Sequence, residues 1–268
     1  MLDCAGKQDI PFLKQIWKEC FGDSDQYITR YFDTLFDHIT VAVKRSDGIP
    51  VSMVSMLPVN LHTPGGNYPG HYIYAAATAK AFEGNGYMSE LLDYACDLAA
   101  ERGDQFSCLI PATPSLFPFY QKRKYLTVSY KNVKLVSPPS RLLLSEPETG
   151  TLLTDLGEDA FFERRRGFLK KQDAAVVFDE HYFSYLYLEM RHTGVFTIGI
   201  GETDYAVCYP ECGLLTVKET SLSEQALTEC LPALCKRFHC AEAVVIFPTA
   251  ESFSSHNVKP HGMIRPLS

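Results

Sequence analysis

Apolar positions in the first third of the chain recur at two different periods. Ile10, Leu13, Ile16, Trp17 and Phe21 step by three and four residues; after Gly22-Asp23-Ser24, so do Ile28, Tyr31, Phe32 and Leu35. One-sided spacing of this kind predicts two helices between Lys7 and Phe36. Residues 39–43 and 50–61 are apolar runs rich in β-branched side chains, split by Ser46-Asp47-Gly48, and they predict two strands. Thr63-Pro64-Gly65-Gly66-Asn67 predicts a hairpin turn, from which residues 71–78 return as a strand. Helical spacing resumes at Met88, Leu91, Leu92, Ala95 and Ala99, with Glu90, Asp93, Asp97 and Glu101 on the opposite face and Gly103 as a stop. Residues 106–110 then predict a buried strand.

The second half repeats this order more weakly. Helices are expected over 159–172, around Tyr182, Tyr185, Leu186 and Met190, and over 223–238; strands are expected over 196–200, 205–208, 214–218 and 243–247. Between the halves, Ser137-Pro138-Pro139-Ser140 and the Ser/Glu/Pro/Thr/Gly run to Gly150 suggest an exposed linker. The expected organisation is a domain over 1–136, a linker over 137–157 and a domain over 158–268. Arg164-Arg165-Arg166 is expected to form a solvated helix face.

A length of 268 residues, with 46% hydrophobic and 21% charged side chains, suits a globular protein with room for two cores. A net charge of −7 offers no broad basic surface to phosphates, so no nucleic-acid partner is expected. The same charge suits a cationic amine. The nine cysteines include no C-x-x-C pair, and the spacings of Cys208 with Cys212 and of Cys235 with His239 and Cys240 are poor for zinc. Reduced structural thiols, no metal and a cytoplasmic location are therefore expected. No long apolar span or leader pattern is present, so no membrane partner is expected.

Two segments carry chemistry. In the first, Tyr74 to Leu92, a strand with the small-residue run Ala75-Ala76-Ala77-Thr78-Ala79 leads into Glu83-Gly84-Asn85-Gly86-Tyr87-Met88 and then a helix. Small residues let a ligand lie near the backbone. A glycine turn at a helix N-terminus presents free N–H groups to a pyrophosphate. In the second, the strand ending at Leu109-Ile110 is followed by Pro111-Ala112-Thr113-Pro114 and a short helix. Ser115 can cap that helix, with Pro118 in its first turn; it carries Tyr120 and ends at Lys122-Arg123-Lys124.

Together, over about residues 7–135, these segments resemble the GCN5-related N-acetyltransferase (GNAT) superfamily. The family's Arg/Gln-x-x-Gly-x-Gly/Ala motif falls on residues 83–88, and its Asn-x-x-Ala-x-x-Leu-Tyr-Glu-Lys-x-Gly-Phe segment falls on 113–125. Glu83 and Met88 depart from the first pattern. The resemblance implies an α/β fold with a mixed (α+β) sheet, a GNAT domain followed by a second, degenerate GNAT-like domain. The latter has no G-x-G after residues 214–218, and no cofactor is expected there.

The implied cosubstrate is acetyl-CoA, held by Ala76, Ala77, Thr78, Glu83, Gly84, Asn85, Gly86, Tyr87, Met88, Leu109, Ile110 and Pro111. The implied reaction is direct attack by a primary amine of a small-molecule or peptide acceptor, with Tyr120 as the acid that protonates the leaving thiolate. The alternative is an inactive acyl-CoA-binding module, which Glu83 and Met88 favour. A transfer-RNA-dependent aminoacyl transferase of the tandem kind is disfavoured by the acidic charge. The sequence specifies no base (Tyr74, His71, an acidic residue or a water chain would each serve), no acceptor and no oligomeric state.

Overall fold

The computed structural model describes residues 1–137, 152–249 and 258–267. The chain divides into two compact units whose segments alternate along the sequence. Unit 1 comprises Met1–Val128, Asp173–Tyr185 and Gly262–Ser268; unit 2 comprises Ser129–Gln172 and Leu186–His261. The seams therefore do not fall at the expected borders of 1–136 and 158–268, because short strands from late in the chain complete the sheet of unit 1.

Unit 1 opens with β1 (Leu2–Cys4), α1 (Ile10–Phe21) and α2 (Asp25–Leu35). Gly22 ends α1 at φ 72°, its N–H bonded to the Lys18 carbonyl, and the Ser24 hydroxyl caps α2 by accepting from Tyr27 N–H at 3.2 Å. Next come β2 (Thr40–Ser46), β3 (Ile49–Thr63), β4 (Gly66–Thr78), α3 (Tyr87–Glu101), β5 (Phe106–Leu109), α4 (Phe117–Gln121) and β6 (Leu126–Thr127). Two later strands, β9 (Ala175–Phe178) and β15 (Met263–Pro266), join them. The strand order is β1-β2-β3-β4-β5-β15-β6, with β9 paired to β3 at Val59–His62, where β2 has ended.

The central strands bury both faces, so β3 reads as a nearly continuous buried run. One face packs on α3, where Ile73, Val54 and Met56 meet Leu91, Leu92, Ala95 and Ala99. Leu13, Ile16, Trp17, Ile28, Tyr31 and Phe32 of α1 and α2 are also buried.

Unit 2 contains β7 (Tyr130–Val136), β8 (Leu153–Asp155) and α5 (Glu158–Leu169). It continues with the C-terminal part of α6 (Glu180–His192), then β10 (Phe196–Ile200), β11 (Asp204–Glu211), β12 (Leu214–Thr220), α7 (Glu224–Arg237), β13 (Glu242–Thr249) and β14 (Val258–Pro260). Its sheet runs β14-β7-β13-β12-β11-β10-β8. Three antiparallel strands, β10 to β12, are followed by a helix and a strand, β13, parallel to β12. Unit 1 has the same order: β2 to β4 antiparallel, then α3, then β5 parallel to β4. The second half is thus a structural repeat of the first. Cys208, Cys230, Cys235 and Cys240 are free thiols in its core, and burial pushes their pKa values up.

Three local expectations are corrected. The linker expected over 137–157 lies mostly outside the described residues, but Leu153–Asp155 is a strand paired with β10. Ser115 does not cap the Tyr120 helix. It sits in a 3-10 turn with its hydroxyl 2.8 Å from that of Thr113, and α4 begins at Phe117. The arginine run is a solvated face only at Arg166: Arg164 donates to the Asp204 carbonyl at 2.6 Å, and Arg165 pairs with Glu219 at 2.7 Å, beside Tyr205.

Candidate active site

β4 and β5 pair over three residues only: Gly70 with Phe106, His71 with Ser107 and Tyr72 with Cys108. Their approach at the root is close. A Cβ on Gly70 would lie 2.5 Å from the Phe106 carbonyl oxygen, so only glycine fits there. Beyond Tyr72, β4 runs on to Thr78 with β3 as its partner, while β5 stops at Leu109. Two parallel strands that part in this way leave one edge of each without a ladder partner, a template for an extended ligand.

A β-bulge sits within the unpaired length of β4. Ser55 faces Tyr74 and Met53 faces Ala77, so Val54 alone opposes Ala75 and Ala76. Ala75 has φ 48°, a left-handed conformation that costs an alanine about 1 kcal/mol. A bulge re-aims the backbone groups around it, here at the open side of the parting strands.

From Thr78 the chain passes a 3-10 turn at Lys80–Phe82 and the glycine turn, Gly84 at φ 77° and Gly86 at φ 78°. Both conformations favour glycine. Gly86 is the N-cap of α3 and has no side chain to accept a first-turn N–H. The equivalent helix of unit 2 differs: the Ser223 hydroxyl accepts from Ala226 N–H at 3.2 Å. Of two equivalent helix starts, the one beside the parted strands is left open to an anion. Asn85 braces the turn by donating to the Phe82 carbonyl at 3.1 Å. Glu83 is exposed, and Met88 packs on the α3 core.

Arg123 was read in the sequence only as part of a basic helix end. Its guanidinium lies 3.5 Å over the Phe119 ring and donates to the Phe119 carbonyl and to the Ser89 hydroxyl in the first turn of α3. It thus places a cation at the helix start where Glu83 supplies none. The signal that could have exposed it was its spacing of three from Tyr120, one helical turn.

Tyr120 is 8% exposed, in the core between Phe119 (5.1 Å) and Tyr125 (5.7 Å). Burial raises its pKa and the neighbouring Arg123 charge opposes the rise. Tyr120 also acts on Tyr72, whose phenol is hydrogen-bonded by the Ile110 backbone and pushed up by burial to about 12. Tyr120 therefore stays protonated at neutral pH.

Ala76, Ala77 and Thr78 line the end of β4; Leu109, Ile110 and Pro111 follow the matching stretch of β5. The Cys20 thiol donates to the Thr78 carbonyl at 3.2 Å, and the Thr78 hydroxyl meets Ser52 Oγ at 2.8 Å. His71 is remote: it is buried against Asp104 (2.9 Å) and lines a cavity of about 320 Å³ that also includes Asp37 and Arg102. Four residues of strand, about 13 Å, separate it from the bulge, so it does not serve the parted strands.

The sequence model of the acetyltransferase (GNAT) domain matches residues 3–128. Residues 3–128 are a GNAT acetyltransferase domain. Solved structures extend the GNAT likeness to the whole chain at the level of fold. A probable N-acyltransferase from Enterococcus faecalis V583 aligns with 100% of this chain and 72% of its own, at 14% identity and a TM-score of 0.79. A GCN5-related N-acetyltransferase from Kribbella flavida aligns with 100% and 71%, at 15% identity and 0.76. Eis1 from Mycobacterium abscessus aligns with 100% and 74%, at 10% identity and 0.72. The curated protein sequences contain no match. The fold is thus GNAT followed by a GNAT-like repeat, and the first unit is of acyltransferase type. Among the described residues, no helix is long and apolar enough to cross a membrane.

Proposed function

We propose that unit 1 transfers an acetyl group from acetyl-CoA to a primary amine, and that the carrying observation is the parted β4 and β5 beside an uncapped α3. Backbone N–H groups of residues 83–88 hold the pyrophosphate, with Arg123 adding positive charge at the first turn of α3. The edges at Ala76–Thr78 and Leu109–Pro111 pair with the pantetheine arm in the manner of an added strand. The bulge at Ala75 and Ala76 turns a backbone N–H toward the thioester oxygen, where negative charge develops.

The amine attacks the thioester carbonyl carbon. The C–N bond forms, the C–S bond breaks, and Tyr120 gives its phenolic proton to the departing sulfur. The acceptor nitrogen loses its proton to solvent, which restores the phenol. Tyr120 is protonated at pH 7, and the Arg123 charge, which opposes the rise that burial causes, keeps it a better donor than burial alone would leave. The exposure of Glu83 removes the objection that a carboxylate in the turn repels phosphate.

Calorimetric titration with acetyl-CoA tests the reading. Micromolar binding is expected for the wild type and its loss for Gly86→Trp, whose side chain would cover the turn. Absence of binding to the wild type would overturn it.

A further inference from the structure

One flank of β4 carries a concentration of aromatic rings that acyl-donor binding does not require. Tyr74 immediately precedes the bulge, and its hydroxyl lies 2.8 Å from that of Tyr27. Its ring stacks on Tyr31 at 5.6 Å and meets Trp17 edge-on at 5.8 Å. Tyr72, two residues earlier on the same face, lies 5.3 Å from Phe178 on β9. Tyr27, Tyr72, Tyr74 and Phe178 are half-buried and present part of their surface; Trp17, Tyr31 and Tyr182 behind them are buried.

This wall is aromatic. The groups acting on the phenols of Tyr31, Tyr74 and Tyr182 are other phenols and the Ser55 hydroxyl. Asp23 touches its margin, but that carboxylate accepts the Trp17 indole N–H at 2.8 Å. The buried hydroxyls of Tyr31 and Ser55 lie behind it and act on one another, and Ser55 is the register partner of Tyr74.

We propose that this wall is the acceptor subsite and that its substrate is an arylalkylamine with a single amino group; the proposal rests on the acyltransferase reading above. The acceptor's ring lies against Tyr72, Tyr74 and Phe178, where edge-to-face partners are available. Its amino nitrogen reaches the bulge through the hydroxyls of Tyr27 and Tyr74. A polyamine or aminoglycoside would have to bring further ammonium groups against a surface made chiefly of rings, which desolvation disfavours.

Trp17 is the only tryptophan of the chain and stands in this wall, so its fluorescence reports occupancy directly. Phenethylamine, n-butylamine and spermidine are titrated against wild-type protein, and each is assayed with acetyl-CoA. Phenethylamine is expected to change Trp17 emission saturably and to exceed spermidine in kcat/KM by about 10-fold or more. Phe178→Ala is expected to cut phenethylamine turnover about 10-fold and n-butylamine turnover by a clearly smaller factor; should that variant fail to fold, the wild-type comparison decides alone. Equal or better use of spermidine, or no saturable response to phenethylamine up to on the order of 10 mM, overturns the proposal. Failure of the acyltransferase reading shows separately, as acetyl-CoA that does not bind while the Trp17 response persists.

Discussion

Tyr120→Phe removes one hydroxyl and leaves the ring in place. The ring packs with Phe119 and Tyr125 in the cluster that holds Leu91, Leu92, Leu109 and Met263, and phenylalanine keeps those contacts. The expected stability change is therefore under about 1 kcal/mol. The expected rate change is large. A positioned general acid is worth about 10²–10⁴-fold, or about 2.7–5.4 kcal/mol of barrier. The side chain is only 8% exposed, which leaves little room for water to replace the lost proton donor. The assay is thiol release from acetyl-CoA in the presence of an amine acceptor, followed across pH. The phenol's pKa is raised above its ordinary value of 10, so the donor form is complete below about pH 10 and is lost as pH rises through the raised value. Wild-type turnover should therefore show no fall from this group below about pH 10. A thioester with a more acidic leaving thiol should shrink the penalty of the variant, because that thiolate needs less help to depart. A kcat within about twofold of wild type, in a variant that melts normally, would refute the role.

Two further predictions concern the frame. Gly70→Ala places a Cβ 2.5 Å from the Phe106 carbonyl oxygen and must push β5 off the root of β4; a loss of about 2 kcal/mol is expected by urea denaturation, with weaker acetyl-CoA binding. Asp9 is 4% exposed and held by two 2.8 Å contacts to Arg45, which keep its carboxyl below the usual range. Its contribution is present above the unfolded pKa of about 3.9 and is lost as pH falls through the lower folded value. Asp9→Asn should cost about 3 kcal/mol at pH 7 and flatten the acid limb of stability below about pH 4.

The helices α1, α2 and α3 and the strands β2 to β5 were legible because each obeys one period over a long run and is bounded by glycine or a cap. The same holds for the order of elements in the second half. The turn at residues 83–88 was legible as geometry, since glycines at 84 and 86 and an apolar helix stripe occur together. What escaped is non-local. β9 and β15 are each four residues long, and nothing in Ala175-Val176-Val177-Phe178 or Met263-Ile264-Arg265-Pro266 says which strand each will join. The bulge at Ala75 was hidden because a small-residue run looks the same with or without it. Arg123 follows the end of α4 as the sequence suggests, but its reach to Ser89 is not legible, since a basic run after a helix suits the helix dipole equally well. The aromatic wall draws on α1, α2, β4, β9 and α6, and only tertiary pairing assembles it.

The placement of β15 bears on how the protein is made. This strand lies between β5 and β6, hydrogen-bonded to both, yet it comes from residues 263–266. During synthesis β5 leaves the ribosome some 150 residues before its neighbour does, and it waits with an open edge. The edge of β5 away from β4 is therefore braced only once residues 263–266 are free to pair with it. A chain interrupted before residue 263 would leave that edge of β5 without its partner, open to pairing with other chains.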